Sequence, residues 1–270
     1  MILVNGVPTH SVAATDRGLA YGDGVFRTLR VERGHPLAWP HQHRKLAHDC
    51  TALALPAPAE RLLREEIERT VPRDGSWVVK VIVTRGCGPR GYAPPERPQA
   101  TRIVLVAPAP QYPEDFAREG VKVHLCETRL SIQPRLAGIK HLNRLENVLA
   151  RAEWHDPAVP EGLMLDIEGC VVGGTMSNLF IVEGGALLTP QLDRCGVAGV
   201  TRERVLEAAR TRGIACAEAR ISLARLLDAQ EVLLLNSVIG LWPVRECAGR
   251  KWGRGSVAAS VREWLDEAYG

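Results

Sequence analysis

Apolar residues recur along this chain in two rhythms, near-continuous valine and isoleucine runs and helical spacings, and between them they lay out its elements. Residues 2–4 read as a short strand turned by Asn5-Gly6, and 25–31 as a longer one that Glu32-Arg33-Gly34 closes. The spacing of Leu46, Cys50, Leu53 and Leu55 predicts a helix over 41–55. Leu62, Leu63 and Ile67 predict another over 59–71. Residues 78–84 and 102–107 are strands, whereas 85–95 carry too much Gly and Pro for regular structure.

In the second half a strand is expected over 121–126. Leu142, Leu145, Leu149 and Ala152 hold the helical period after Lys140. Two hairpins follow, 162–167 with 171–172 around Glu168-Gly169, and 179–182 with 186–188 over Gly184-Gly185. A helix starts at Thr201 and ends at Gly213, 231–235 is a strand, and a last amphipathic helix covers 255–269. Helices and strands alternate without strict βαβ regularity, so mixed α/β lobes are expected rather than a doubly wound sheet. The prolines at 108, 110 and 113 mark a linker. The expected organisation is a small lobe over 1–110, a linker over 111–118 and a larger lobe over 119–270 that carries Lys140.

Composition narrows the function classes. The 270 residues are 46% hydrophobic and 24% charged, with a net charge of +3 and basic residues scattered among acidic ones, which gives no support for nucleic-acid binding. No apolar run approaches a membrane span, and residues 1–6 lack the features of an export signal. The cysteines at 50, 87, 126, 170, 195, 216 and 247 form no C-x-x-C pair, and the eight histidines show no metal-like pairing. A soluble cytoplasmic protein with no metal is expected.

Lys140 sits in Leu136-Ala137-Gly138-Ile139-Lys140-His141-Leu142-Asn143-Arg144-Leu145. Apolar neighbours disfavour the ammonium by desolvation, and a neutral amine is what Schiff-base chemistry needs. By its neighbours alone, a solvated lysine is the leading reading of Lys140. Gly196-Val197-Ala198-Gly199-Val200-Thr201-Arg202 is a glycine-bearing loop feeding a helix, where N–H groups and the dipole suit a phosphate. Thr201 reads there either as an N-cap or as a phosphate contact.

The lysine string, Gly173-Gly174-Thr175-Met176-Ser177-Asn178, the glycine loop and Tyr21-Gly22-Asp23-Gly24-Val25-Phe26 together resemble the fold-type IV pyridoxal-phosphate enzymes, the class IV aminotransferase-like family. The resemblance implies a two-lobed fold with pyridoxal 5'-phosphate between the lobes, and a homodimer. It assigns Lys140 to the cofactor aldehyde, and Arg44, Val200, Thr201 and Ser237 to its phosphate. Gly173 and Asn178 fall beside the ring, with Gly173 where the family places a carboxylate on the pyridine nitrogen. Thr28 matches a position for proton transfer, and Arg90, Tyr92 and Arg85 lie on the loop that binds substrate carboxylates. Gly-Ile-Lys-His-Leu-Asn-Arg-Leu is most similar to the lyase branch, which implies conversion of 4-amino-4-deoxychorismate to 4-aminobenzoate and pyruvate. D-amino-acid or branched-chain amino transfer is the alternative, as is a cofactor-binding homologue impaired by Gly173.

Overall fold

Valine-rich runs that read as strands form the middle of an antiparallel sheet. In the computed structural model, which describes residues 1–267, the chain divides into two units. One is Met1–Gln111 together with Ile139–Asn143, and the other is Tyr112–Gly138 together with the described residues from Arg144 onward. Five residues around Lys140 thus belong with the first unit, although their chain neighbours on both sides belong to the second.

The first unit contains, in chain order, β1 (Ile2–Val4), β2 (Val7–Pro8), α1 (Arg17–Tyr21), β3 (Gly24–Glu32), β4 (His35–Pro36), α2 (Trp39–Ala52), α3 (Glu60–Thr70), β5 (Ser76–Thr84) and β6 (Thr101–Pro108). Its strands are ordered β2-β1-β6-β5-β3-β4, and every neighbouring pair is antiparallel. Alternation along β3 buries Val25, Arg27, Leu29 and Val31 and leaves Phe26, Thr28 and Arg30 half-buried. The buried side packs with Val79, Val81 and Val83 of β5, Leu46 and Cys50 of α2, and Leu63 and Ile67 of α3. Burying each such aliphatic side chain stabilises the unit by about 1.5–3 kcal/mol. The two expected helices form where their apolar spacing places them.

The second unit continues with α4 (Glu114–Arg118), β7 (Val121–Leu125), α5 (Leu145–Arg151), β8 (Glu161–Leu165), β9 (Val171–Gly174), β10 (Asn178–Glu183), β11 (Ala186–Pro190), α6 (Val200–Thr211), β12 (Cys216–Ala219), α7 (Leu223–Asp228), β13 (Glu231–Asn236), β14 (Gly240–Cys247), β15 (Arg250–Lys251) and α8 (Val257–Glu267). The strand order is β12-β11-β10-β13-β14-β7-β8-β9, with β15 on β14. Parallel pairs β11/β12, β14/β7 and β7/β8 are mixed with antiparallel ones. Strand β13 is covered on both faces: Val232 and Leu234 pack with Ile221 and Leu226, while Leu233 and Leu235 pack with Val205 and Ala209 of α6 and Val261 and Leu265 of α8. Burial on both faces is why its sequence is a continuous apolar run rather than an alternation.

Two elements differ from the sequence expectation. The helix after Lys140 begins only at Leu145, with Arg144 at its N-cap. Leu142 is not helical because its N–H donates to the Gly24 carbonyl at 2.9 Å. The apolar positions of α5 are also not core: Leu145, Val148 and Leu149 are 70%, 60% and 55% exposed. Helix α6 begins at Val200 with Gly199 as N-cap, so Thr201 lies inside its first turn and is not the cap. The last helix is α8, and the expected positions 268 and 269 lie outside the described residues. Among the described residues no helix is long and apolar enough to cross a membrane.

Candidate active site

Of the residues singled out in the sequence, Lys140, Thr28, Arg44, Arg85, Arg90 and Tyr92 lie on the first unit, and Gly173, Asn178, Val200, Thr201 and Ser237 on the second. On the first unit, the Ile139–Asn143 segment lies along β3. The Phe26 N–H donates to the Lys140 carbonyl at 2.9 Å, and Val25 bridges His141. Ile139 is buried in the core, and the Lys140 N–H donates to Asp49 Oδ2 at 3.0 Å. Asp49 is fully buried on α2 and is paired with the buried Arg27 guanidinium. Both polar groups of the Lys140 peptide are therefore held. Gly22 caps α1 in the left-handed region at φ 65°, and a Cβ there would collide with the Asn143 side chain. A glycine is needed at this position for both reasons.

The Lys140 side chain is half-buried, with Nζ 4.6 Å from the centre of the Phe26 ring. Thr28, two residues along β3, shares the half-buried face with Phe26. Lys80, directly opposite Thr28 on β5, places its Nζ 4.6 Å from the same ring. Nothing in the sequence pointed to Lys80, Arg27 or Asp49. The alternation of the strands could have placed Lys80 and Thr28 on one face, but only with the β3/β5 register known.

On α2, Arg44 is exposed, whereas Lys45 is half-buried and one turn before Asp49. Arg85 is buried, and its guanidinium donates to both oxygens of Asp23 at 2.7 and 3.0 Å, to the Ala54 carbonyl at 2.9 Å and to the Leu53 carbonyl at 2.8 Å. Arg17 joins Asp23 at 2.9 Å and donates to the carbonyls of Gly91 and Tyr92 at 2.9 and 3.0 Å. Burial pushes the Asp23 carboxyl up, but the hydrogen bonds and charges of Arg85 and Arg17 outweigh it and hold the group below its usual value. Arg85 and Arg17 thus shape the loop on which Arg90 and Tyr92 are exposed.

On the second unit, Asn178 opens β10 and ties down the glycine loop. Its Nδ2 donates to the Val197 carbonyl at 2.7 Å, and its Oδ1 accepts from the Gly199 N–H at 3.0 Å. Gly199 contributes no side-chain cap, so the N–H groups of the first turn of α6 point out of the helix end. The Thr201 hydroxyl lies 3.4 Å from that of Ser237. Asn236 Oδ1 accepts from Val238 and Ile239 N–H at 2.7 and 2.9 Å, which sets the turn that presents Ser237. N–H donors at a helix N-terminus with two hydroxyls beside them are the donor set a phosphate takes. A half-buried lysine with a fixed backbone suits an aldehyde. Both features fit pyridoxal phosphate.

Gly173 offers no carboxylate, and a Cβ there would stand 2.7 Å from the Ser177 carbonyl oxygen. The nearby acid is Glu161 of β8, fully buried beneath the 174–177 turn. Its Oε1 accepts from Gly162 N–H, Thr175 N–H and the Thr175 hydroxyl at 2.9, 2.9 and 2.5 Å. Its Oε2 accepts from Met176 N–H and the Ser177 hydroxyl at 3.2 and 2.7 Å. Burial holds the Glu161 carboxyl above its usual value, against the pull of Thr175 and Ser177. With both oxygens engaged by this turn, Glu161 serves its geometry. Among the described residues no group of three or more His, Cys, Asp or Glu could hold a metal.

The amino-transferase class IV family model matches residues 24–247, and the chain belongs to that family. Its mixed α/β architecture is that of the fold-type IV enzymes. The chain is 38% identical over 246 residues to the aminodeoxychorismate lyase of Vibrio harveyi, with 90% of each protein covered. It matches the crystal structure of 4-amino-4-deoxychorismate lyase from Pseudomonas aeruginosa with a TM-score of 0.94 and 45% identity, covering 99% of this chain and 98% of that one. A hypothetical aminotransferase from Mycobacterium tuberculosis, in its PLP-bound form, shares the fold at a TM-score of 0.85 and 23% identity, with 100% and 98% covered.

Proposed function

We propose that the protein is a pyridoxal-phosphate-dependent lyase that converts 4-amino-4-deoxychorismate to 4-aminobenzoate and pyruvate. The observation that carries this is the Lys140 segment, pinned by Phe26, Gly24 and Asp49 so that one amine is presented on the Phe26/Thr28 face. Sequence identity to two lyases over nearly the whole chain supports the same reading. Bound pyridoxal phosphate supplies an aldehyde for the lysine amine and a sink for the electrons of the carbon–hydrogen bond that breaks.

The Thr201 and Ser237 hydroxyls and the Val200 N–H hold the phosphate, with Asn178 fixing the loop behind them. On α2 the exposed Arg44 is the cation the family resemblance assigns to the same phosphate. With the cofactor bound, the Lys140 amine would take the proton from the amine-bearing carbon of the substrate. The bond from the ring to the enolpyruvyl oxygen then breaks, the ring becomes aromatic, and the released enolpyruvate gains a proton from Lys140 or Thr28. Arg90 and Tyr92, on the loop shaped by Arg17 and Arg85, take a substrate carboxylate.

Gly173 favours the lyase over amino transfer. A transaminase must reprotonate a ring-stabilised carbanion and leans on a protonated pyridine, whereas aromatisation supplies its own driving force. A homodimer in the cytoplasm belongs to the same proposal. The exposed apolar residues Leu145, Val148 and Leu149 on α5 support the dimer as a surface a partner could cover. In a direct assay, 4-aminobenzoate and pyruvate form in equal amounts, and Lys140→Ala loses both the visible cofactor band and turnover. Amino transfer to 2-oxoglutarate in place of pyruvate release, or turnover retained in Lys140→Ala, would reject the reading.

A further inference from the structure

The 88–98 segment between β5 and β6 has no core of its own: none of its residues is buried, and Tyr92 is 86% exposed. A segment with so few buried apolar contacts belongs to the least stable part of a fold unless something else holds it. Arg17 of α1, only 4% exposed, supplies that hold. Its Nη1 donates to the Gly91 and Ala93 carbonyls at 2.9 and 3.3 Å and its Nη2 to the Tyr92 carbonyl at 3.0 Å, while its Nε donates to Asp23 at 2.9 Å. Consecutive carbonyls thus converge on one guanidinium. Tyr21, one turn further along α1, accepts the Gly91 N–H at 3.1 Å through its hydroxyl and sets its ring 5.4 Å from that of Tyr92. The Arg17 guanidinium lies 4.9 Å from the centre of the Tyr21 ring, so the two side chains form one support.

We propose that Arg17, with Tyr21 beside it, is a positioning residue for the reaction: the 88–98 segment is folded around its guanidinium in place of an apolar core, and this sets where Arg90 and Tyr92 stand. The proposal rests on the reading of Arg90 and Tyr92 as substrate contacts and deepens it. A planar fork takes several carbonyls while another N–H holds Asp23, whereas a lysine ammonium carries its donors on one nitrogen and cannot span them. Asp23 keeps Arg85 as its partner when Arg17 is removed, so the base of the segment stays anchored. The Lys140 segment is pinned separately, through Gly24, Phe26 and Asp49. Loss of Arg17 therefore frees the substrate contacts and leaves the reactive amine in place.

The test uses the cofactor-loaded protein and 4-amino-4-deoxychorismate, with hydrogen exchange of the 88–98 amides measured beside steady-state kinetics. Arg17→Ala should keep the visible band, speed exchange across the segment and raise KM roughly tenfold or more, the worth of one charge-assisted hydrogen bond, while kcat changes less. Added methylguanidinium should lower that KM toward the parent value, and Arg17→Lys should not restore it. Tyr21→Phe, a milder change, should move exchange and KM in the same direction by a smaller factor. Arg90→Ala separates positioning from mere stability: it should raise KM in the parent but by less than about twofold in Arg17→Ala, because both act through one contact. Additive effects on KM, or slow exchange retained in Arg17→Ala, overturn the proposal. An unchanged KM in both Arg90→Ala and Tyr92→Ala would instead overturn the reading of this loop as a substrate contact, and the exchange rates would still report on Arg17.

Discussion

Carboxylates organise the functional segments of each unit, and the two units use them by different means. On the first unit Asp49 grips the Lys140 backbone while Arg27 neutralises it. Elsewhere on the same unit Asp23 sits between Arg17 and Arg85, which shape the loop of Arg90 and Tyr92. On the second unit Glu161 holds the 174–177 turn with neutral donors only, three N–H groups and two hydroxyls. A guanidinium partner favours the charged form of Asp23, whereas burial among neutral donors disfavours that of Glu161. Charge is thus used where the Lys140 backbone and an exposed loop are held, and neutral donors alone where the 174–177 turn is held.

The largest expected effect tests the charged half. Asp49→Ala removes the carboxylate paired with the buried Arg27 and should cost about 3–5 kcal/mol in urea unfolding. Arg27→Met combined with Asp49→Leu should recover most of that loss, because well-packed apolar pairs replace buried ion pairs at little cost. A loss below about 1 kcal/mol in Asp49→Ala would mean that the lysine segment is not held through charge.

A smaller effect is expected from the neutral half. Asn178→Ala removes the bonds to Val197 and Gly199 and should cost about 1–3 kcal/mol. Pyridoxal-phosphate affinity, followed by the visible band on dilution, should fall with it. An unchanged affinity would separate the loop from the phosphate.

The smallest effects are those of pH, and they have opposite signs. The folded value of Asp23 is lowered, so its stabilisation is present above the unfolded value and is lost as pH falls through the folded one. The folded value of Glu161 is raised, so its carboxyl favours the native state most below the unfolded value and weakens it as pH rises to the folded one. In melting temperatures measured against pH, Asp23→Asn should flatten the acid-side fall and Glu161→Gln the fall on the rising side. The same slope in both variants would abolish the distinction between the two carboxylates.

Much of this was legible in the residues. The strands β5 and β6, helices α2 and α3 and the end of α6 follow from local spacing and turn chemistry, which act over a few residues. Lys140, Thr201, Ser237 and Asn178 were marked by their neighbours in sequence. Helix α5 was read one turn too long because Leu142 keeps the helical period while its N–H bonds Gly24, more than a hundred residues away. Arg85 looked like a substrate contact, yet its guanidinium is engaged by Asp23, Ala54 and Leu53. Neighbours in the chain do not reveal which acceptors a guanidinium will meet.

By itself the sequence determined the family, and it marked the Lys140 string and the 196–202 glycine loop as candidates, since each is a contiguous string whose chemistry lies in adjacent residues. Only the tertiary structure decided that Asp49, paired with Arg27, holds the Lys140 backbone, that Glu161 serves the turn beside Gly173, and that Lys80 stands on the same ring as Lys140. Those pairings join positions far apart in the chain, and they follow from strand register and helix docking, which no local pattern encodes.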